Sequence, residues 1–258
     1  MTGRATVLVT GGVRRIGGAI TRHLAARGWC VAIHHHDSAD DAEALAADLR
    51  AGGGTACVLA GELADPATPT MLVDGARTAF GAPLRAVVNN ASLFQFDLPA
   101  TATHARLDRH MHVNLAAPVA LATALAAQAD LEDGAVVNLL DQKVANLNPD
   151  FFTYTCSKIA LAGATEMLAQ ALAPRVRVNA VSPGLTLPSL DQSEEEFAAT
   201  SGENLLRRRV ALDDLAATVA HLLESRSITG QNVFVDCGQR FLHRDGDVMF
   251  ATRARADG

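Results

Sequence analysis

Between residues 5 and 240 the sequence switches its hydrophobic period repeatedly, and this alternation narrows the possible folds more than any other feature. Short runs of small and β-branched apolar residues, such as TVLVT at 6–10 and AVVN at 86–89, alternate with longer Ala/Leu-rich segments of helical period. A run that is apolar on both faces must be covered on both faces, and the intervening segments are long enough to return the chain to the same edge. Repeated βαβ units around a parallel sheet satisfy both demands. The strands are expected at Thr6–Thr10, Cys30–His34, Thr55–Leu59, Ala86–Asn89, Ala135–Leu139, Arg177–Val181 and Asn232–Val235. Helices are expected near Ile16–Arg27, Ala39–Ala51, Pro66–Phe80, Ala105–Gln128, Phe151–Leu172 and Leu212–Glu224. The expectation is one α/β domain over 1–258, with a seven-stranded parallel sheet doubly wound by helices. Ligands of such sheets bind beyond the carboxyl ends of the strands, so chemistry is sought just after each strand.

Length and charge remove several alternatives. A chain of 258 residues buries one substantial core. The net charge is −6, from 22 Lys+Arg against 28 Asp+Glu, and the basic residues bunch only at Arg207–Arg209 and in the last few residues. Nucleic acid is therefore not an expected partner. The four cysteines, Cys30, Cys57, Cys156 and Cys237, form no C-x-x-C pair and suit reduced thiols of a cytoplasmic enzyme. A strand beginning at residue 6 leaves no room for a signal peptide, and the apolar stretch 113–129 is broken by Asn114, Pro118 and Gln128, so no membrane partner is expected. Residues 187–210, polar and acidic and then basic, are expected to form a mobile helical lid, and 245–258 a polar tail.

The first strand runs directly into TGGVRRIGGAI, where Gly11, Gly12, Gly17 and Gly18 surround a strand-to-helix turn. Glycines let the backbone approach a pyrophosphate, whose charge is met by the amides of the helix start. A tight turn without a ligand is the competing reading. Asp37 lies 20 residues beyond Gly17, a separation suited to the ribose hydroxyls of NAD. Arg14, Arg15, His36 and Ser38 instead suit the extra phosphate of NADPH, because guanidinium groups match phosphate geometry. NADPH is the preferred cofactor and NADH the alternative. Glu62 is placed to meet an adenine amino group or to serve as an exposed loop acid. His34, His35 and His36 are consecutive, but strand alternation turns His35 away from the other two, so no metal site is expected.

Tyr154, the only tyrosine, stands four residues before Lys158. On a helix the two share a face, so the lysine charge is expected to lower the phenol's pKa and make it a usable proton donor. A buried tyrosine beside a surface lysine is the bland alternative. Asp141 closes the fifth strand thirteen residues before Tyr154, so both side chains are expected at one cleft. An ionised carboxylate cannot donate a hydrogen bond to a carbonyl oxygen and repels the charge developing there, which disfavours simple ketone reduction. A reacting ring nitrogen suits a carboxylate that relays a proton through the phenol. Lys143 is expected to hold Asp141 ionised, or to form a purely structural ion pair with it.

Ordered motifs across residues 5–240 together resemble the short-chain dehydrogenase/reductase family, a Rossmann-type fold. They are Thr10-Gly11-x-x-x-Arg15-x-Gly17, Asn89-Asn90-Ala91-Ser92, Tyr154-x-x-x-Lys158, Ser182-Pro183-Gly184 and the segment Ile228–Gly238. The resemblance implies that Gly11, Arg14, Arg15, Ile16, Gly17, His36, Ser38, Glu62, Leu63, Asn90, Ala91, Ser92, Pro183, Gly184 and Thr186 bind the cofactor. It further implies that Lys158 reaches the nicotinamide ribose and that Asn114 joins Asp141, Tyr154 and Lys158 as a catalytic residue. Most members have serine where Asp141 stands. Asp141, Tyr154 and Lys158 together with NNASLF (89–94) resemble the pteridine reductases and the dihydromonapterin and dihydrofolate reductases of this family, whose phenylalanine stacks the flat substrate. That resemblance implies a substrate-binding role for Phe94 alongside Asp141 and Tyr154, and hydride transfer to a C=N bond of a pterin-like small molecule. A core aromatic is the competing reading of Phe94. A carbonyl or alcohol oxidoreductase is the alternative function, and a dinucleotide-binding sensor without turnover is the third. Family members usually assemble as homotetramers, which is the favoured oligomer.

Overall fold

The computed structural model describes residues 5–189 and 192–251. Seven parallel strands lie in the order β3-β2-β1-β4-β5-β6-β7. They are β1 (Thr6–Val9), β2 (Cys30–His35), β3 (Thr55–Ala60), β4 (Ala86–Asn89), β5 (Gly134–Leu139), β6 (Val176–Pro183) and β7 (Asn232–Val235). The helices are α1 (Arg15–Ala26), α2 (Ala39–Ala51), α3 (Thr68–Phe80), α4 (His104–Met111), α5 (Ala117–Ala127), α6 (Phe152–Leu172), α7 (Glu194–Thr200) and α8 (Leu212–Glu224). The strand order reverses between β1 and β4, which opens the crevice of a doubly wound sheet at their carboxyl ends.

Strand periodicity accounts for the two layers. Val7 and Val9 of β1, Val31 and Ile33 of β2 and Val137 of β5 point to the face carrying α1, α2 and α8, where they meet Ile20, Leu45 and Val219. Leu8, Ala32 and Val136, one residue out of step, point to the opposite face and meet Leu72 of α3 and Leu121 and Leu125 of α5. Each fully buried Val, Leu or Ile contributes about 1.5–3 kcal/mol, so the alternation fixes which helix covers which face. A charge at Leu8 would be buried among aliphatic carbons with no partner.

The helix expected over Ala105–Gln128 is instead two helices joined by a π-helical turn, His112–Ala116. Pro118 has no N–H to offer the carbonyl four residues back, so the α-helical ladder fails at residue 114 and the coil widens there. By length and composition, His104–Ala127 is long and apolar enough to cross a membrane. Here its Val113, Leu121 and Leu125 are buried against the sheet.

At the periphery, one expectation changes, that of the tail. Within 187–210, α7 is capped at its N-terminus by a capping box between Ser193 and Glu196 and buries Phe197, while positions 190 and 191 lie outside the described residues. Of the stretch expected as a polar tail, residues 245–251 fold back on the domain: Val248–Phe250 form a 3-10 turn with Val248 and Met249 buried. The apolar triplet VMF drives this, because its side chains find aromatic partners at the start of α6. Residues 252–258 lie outside the described part.

Candidate active site

The glycine turn is a backbone construction. Gly11 has φ +57°, in the left-handed region that glycine tolerates. A Cβ on Gly17 would stand 2.0 Å from the Gly11 carbonyl oxygen and 2.5 Å from Asn90 Nδ2, so no side chain fits at the start of α1. The Asn90 amide donates to the carbonyls of Thr10 (2.9 Å) and Gly11 (3.0 Å), and Thr10 Oγ1 accepts from the backbone N–H groups of Asn90 and Ala91, both at 3.0 Å. The turn after β1 is thereby tied to the end of β4. No side chain caps α1, which leaves its first amides suited to an anion. These features fit a dinucleotide pyrophosphate.

His34 supports this turn in a way the sequence reading did not foresee. Its Nδ1 accepts from Gly11 N–H (3.2 Å), and its Nε2 faces the Gly61 carbonyl (3.1 Å). Burial lowers its pKa to about 4, so the ring is neutral and serves both partners. Both His34 and His35 are buried, because β2 is covered on both faces; His36 is exposed. Among the described residues no group of three His, Cys, Asp or Glu is arranged to hold a metal. At the nucleotide end, exposed Arg14 pairs with Asp41, His36 lies 3.5 Å from Glu62, and Ser38 donates to Asp37. Leu63 turns its side chain into the core, leaving only its backbone to meet a ligand.

At the other end of the crevice, Arg15, Ile16, Asn90, Ser92, Phe94, Asp141, Tyr154, Lys158, Pro183, Gly184 and Thr186 line a single cavity. The Tyr154 hydroxyl donates to Asp141 Oδ2 at 2.9 Å, and Asp141 Oδ1 accepts from the backbone N–H of Lys143 at 2.8 Å. Lys158 is buried beside them, donates to the Leu139 carbonyl at 2.7 Å, and lies 5.6 Å from the centre of the tyrosine ring. Arg15, at φ +55°, reaches across to the Pro188 carbonyl.

The electrostatics correct two expectations. Burial, reinforced by the neighbouring Asp141 charge, holds the Tyr154 phenol well above its ordinary pKa. No pull from Lys158 offsets this, and burial lowers the lysine's own pKa to about 8, with Asp141 opposing that shift. Desolvation also raises the Asp141 carboxyl, against the pull of its hydrogen bonds. The Lys143 ammonium forms no salt bridge with Asp141: it is buried and pairs with Asp247 at 2.9 Å, and it acts on Asp141 through its backbone N–H and through its charge, which favours the ionised carboxylate.

Asn114 spends its side chain on the loop after β4. Its Oδ1 accepts from Leu93 N–H (2.8 Å) and Ser92 Oγ (3.2 Å), while its Nδ2 donates to the Leu93 carbonyl and to Ser157 Oγ, both at 3.0 Å. It positions the loop rather than pointing into the cavity. Phe94, carried by that loop, stacks on Phe151 at 4.2 Å and meets Tyr154 edge-on at 4.8 Å. Asp97 then pins the loop to α6 by accepting from Thr153 N–H (3.0 Å) and Thr153 Oγ1 (2.5 Å). Phe151, Asp97, Asp247 and Met249 were not anticipated at the site. Only the pair Phe151–Phe152 offered a signal, as an aromatic doublet at the start of a helix.

Known proteins place this geometry among relatives. The family described as short chain dehydrogenase matches residues 5–199. The crystal structure of FolM alternative dihydrofolate reductase 1 from Brucella suis, in complex with NADP, superposes with a TM-score of 0.90 at 46% identity, covering 95% of this chain and 98% of that one. Dihydromonapterin reductase from Enterobacter sp. (strain 638) is 29% identical over 238 residues, 90% of this chain and 95% of its own. The 3-oxoacyl-[acyl-carrier-protein] reductase FabG of Staphylococcus aureus (strain Mu50) is 29% identical over 239 residues, 90% and 97% of the two chains.

Proposed function

We propose that this chain, which belongs to the short-chain dehydrogenase family, is an NADPH-dependent reductase of a C=N bond in a pterin-like heterocycle of the dihydropterin or dihydrofolate type. The observation that carries this reading is the hydrogen bond from the Tyr154 hydroxyl to Asp141, 2.9 Å long and set in a cavity walled by Phe94. NADP in the Brucella FolM structure supports the cofactor, as does the glycine turn that no Cβ can enter.

When bound, the dihydronicotinamide supplies a hydride. Lys158 and the carboxyl ends of β5 and β6 hold the ribose side of the cleft, while Phe94 offers a flat face that orders a planar ring. Tyr154 gives its hydroxyl proton to the substrate nitrogen, completing addition of hydride and proton across C=N. Asp141, whose raised pKa lets it carry a proton at higher pH than an ordinary carboxyl, resupplies the phenol. The high pKa of Tyr154 keeps that proton in place until the nitrogen is ready to take it. Asn114 fixes the Phe94 loop. The segment 187–210 acts as the lid, and the working form is a cytoplasmic homotetramer.

The test is a matched NADPH and NADH oxidation assay with dihydropterins, dihydrofolate and a panel of simple ketones. Turnover of the heterocycles with NADPH is the expected result, and turnover of ketones alone would refute it. Asp141→Ser is expected to cost about 10²-fold or more in heterocycle turnover, the scale of a lost proton relay, and to raise ketone turnover. A second reading, carbonyl reduction, is favoured by the desolvation of Asp141: a protonated carboxyl is itself a hydrogen-bond donor to a carbonyl oxygen. Ketone turnover that falls in Asp141→Asn no further than in Asp141→Ser would support it.

A further inference from the structure

The strongest feature left over from this account is the returning segment 246–251. Asp247 is held from three directions: its carboxylate takes the Lys143 ammonium at 2.9 Å, its N–H donates to Asp150 Oδ2 at 2.6 Å, and its Oδ1 accepts from Met249 N–H at 3.1 Å. Met249 is thereby pressed into a cluster with Phe151 and Tyr154, and Phe250 stacks on Phe151 and meets Phe96 edge-on. Lys143, Asp247 and Met249 all line the cavity that holds Asp141 and Tyr154. Lys143 is 3% exposed and sits over the Phe151 ring. A buried ion pair is a poor source of net stability, but losing one partner leaves the other charge stranded. Such a pair fixes geometry, and the geometry it fixes here is one wall of the reacting end, a hundred residues away in sequence from the lysine.

We propose that the Lys143–Asp247 pair is a latch that sets Met249 as a substrate-selecting wall, making Lys143 and Asp247 positioning residues for the substrate and not for the cofactor. The inference rests on the proposed reductase reading for the identity of the substrate, a compact planar heterocycle that needs a closed pocket. Its geometric half stands independently. The latch contacts the 3-10 turn Gln142–Ala145 after β5, the start of α6 and the reacting cavity, whereas the glycine turn after β1 is held by Thr10, His34 and Asn90.

The test compares the full-length enzyme with Lys143→Met, Lys143→Arg and Met249→Ala. With dihydrobiopterin as probe, Lys143→Met and Met249→Ala are expected to raise KM about tenfold or more while kcat falls less than about threefold, the pattern of lost binding rather than lost chemistry. NADPH affinity, read by its fluorescence, is expected to stay within about twofold, and Lys143→Arg to restore most of the KM. A parallel loss of NADPH affinity, equal losses in kcat and kcat/KM, or no rescue by arginine would overturn the proposal. If the wild type reduces no dihydropterin, the reductase reading fails and the latch is judged on hydrogen exchange of the NADPH-bound protein. Lys143→Met is then expected to speed exchange at the Asp247 and Met249 amides about tenfold, with the amides of residues 10–18 unchanged. Unchanged exchange at those two amides would overturn the latch.

Discussion

The two ends of the crevice are built on opposite principles. The end proposed for the pyrophosphate is backbone: Gly11, Gly17 and the uncapped start of α1 form a cradle from one short stretch of chain, steadied by Asn90 and His34. The reacting end is side chain: Asp141, Tyr154, Lys158, Phe94 and Met249 arrive from the end of β5, α6, the loop after β4 and the returning segment 246–251. A backbone cradle tolerates varied side chains but no added carbon. A side-chain site tolerates backbone adjustment but depends on each functional group. One fold can therefore keep its cofactor while its chemistry changes, which accords with a single chain resembling both a FolM and a FabG.

Four variants or conditions break or sharpen that contrast. Tyr154→Phe removes one hydroxyl and should cut kcat by about 10²–10⁴-fold, the range of general acid catalysis, while NADPH affinity measured by fluorescence titration stays near wild type. Comparable loss of NADPH binding would erase the division between the ends. Gly17→Ala does the reverse, since its Cβ meets backbone at 2.0 Å; NADPH affinity should fall about 10²-fold, as expected of a strained anion cradle, with the fold intact by circular dichroism. Next comes pH. Lys158 has a folded pKa lowered to about 8 by burial, so the charged form proposed to hold the ribose is present below that value and lost above it. The kcat/KM of the free enzyme should fall by about tenfold between pH 7 and 9, and a flat profile over this window would show that the lysine charge is not used. The smallest effect is expected from Arg14→Ala. Its guanidinium is exposed and shared with Asp41, so NADPH should weaken about fivefold relative to NADH, the scale of one screened phosphate contact.

Legibility in the sequence divides along the same line. The glycine turn, the strands that feed it and the Tyr154–Lys158 spacing could be read because neighbours along the chain make them. Asp141 could be placed beside Tyr154 because both follow from where β5 ends and α6 begins. The π-helical turn at Asn114 needed the effect of Pro118 to be followed four residues back. Met249 and Asp247 offered no sign of their role, since VMF in a polar stretch looks the same whether it packs or not. The salt bridge expected between Lys143 and Asp141 was misplaced for the same reason: the lysine's partner is Asp247, 104 residues away.

Local periodicity and residue spacing determined that this chain would form a parallel, doubly wound sheet with a glycine-built turn after its first strand and a tyrosine one helical turn from a lysine. Those features depend on which residues recur every two or every 3.6 positions along the chain. The tertiary structure alone decided the protonation chemistry and the closure of the pocket. Spacing anticipated a tyrosine made more acidic by its lysine, whereas burial raised the phenol and lowered the amine. Desolvation is set by everything packed around a group, and Phe94, His110 and Met249, which help to bury Tyr154, come from distant parts of the chain.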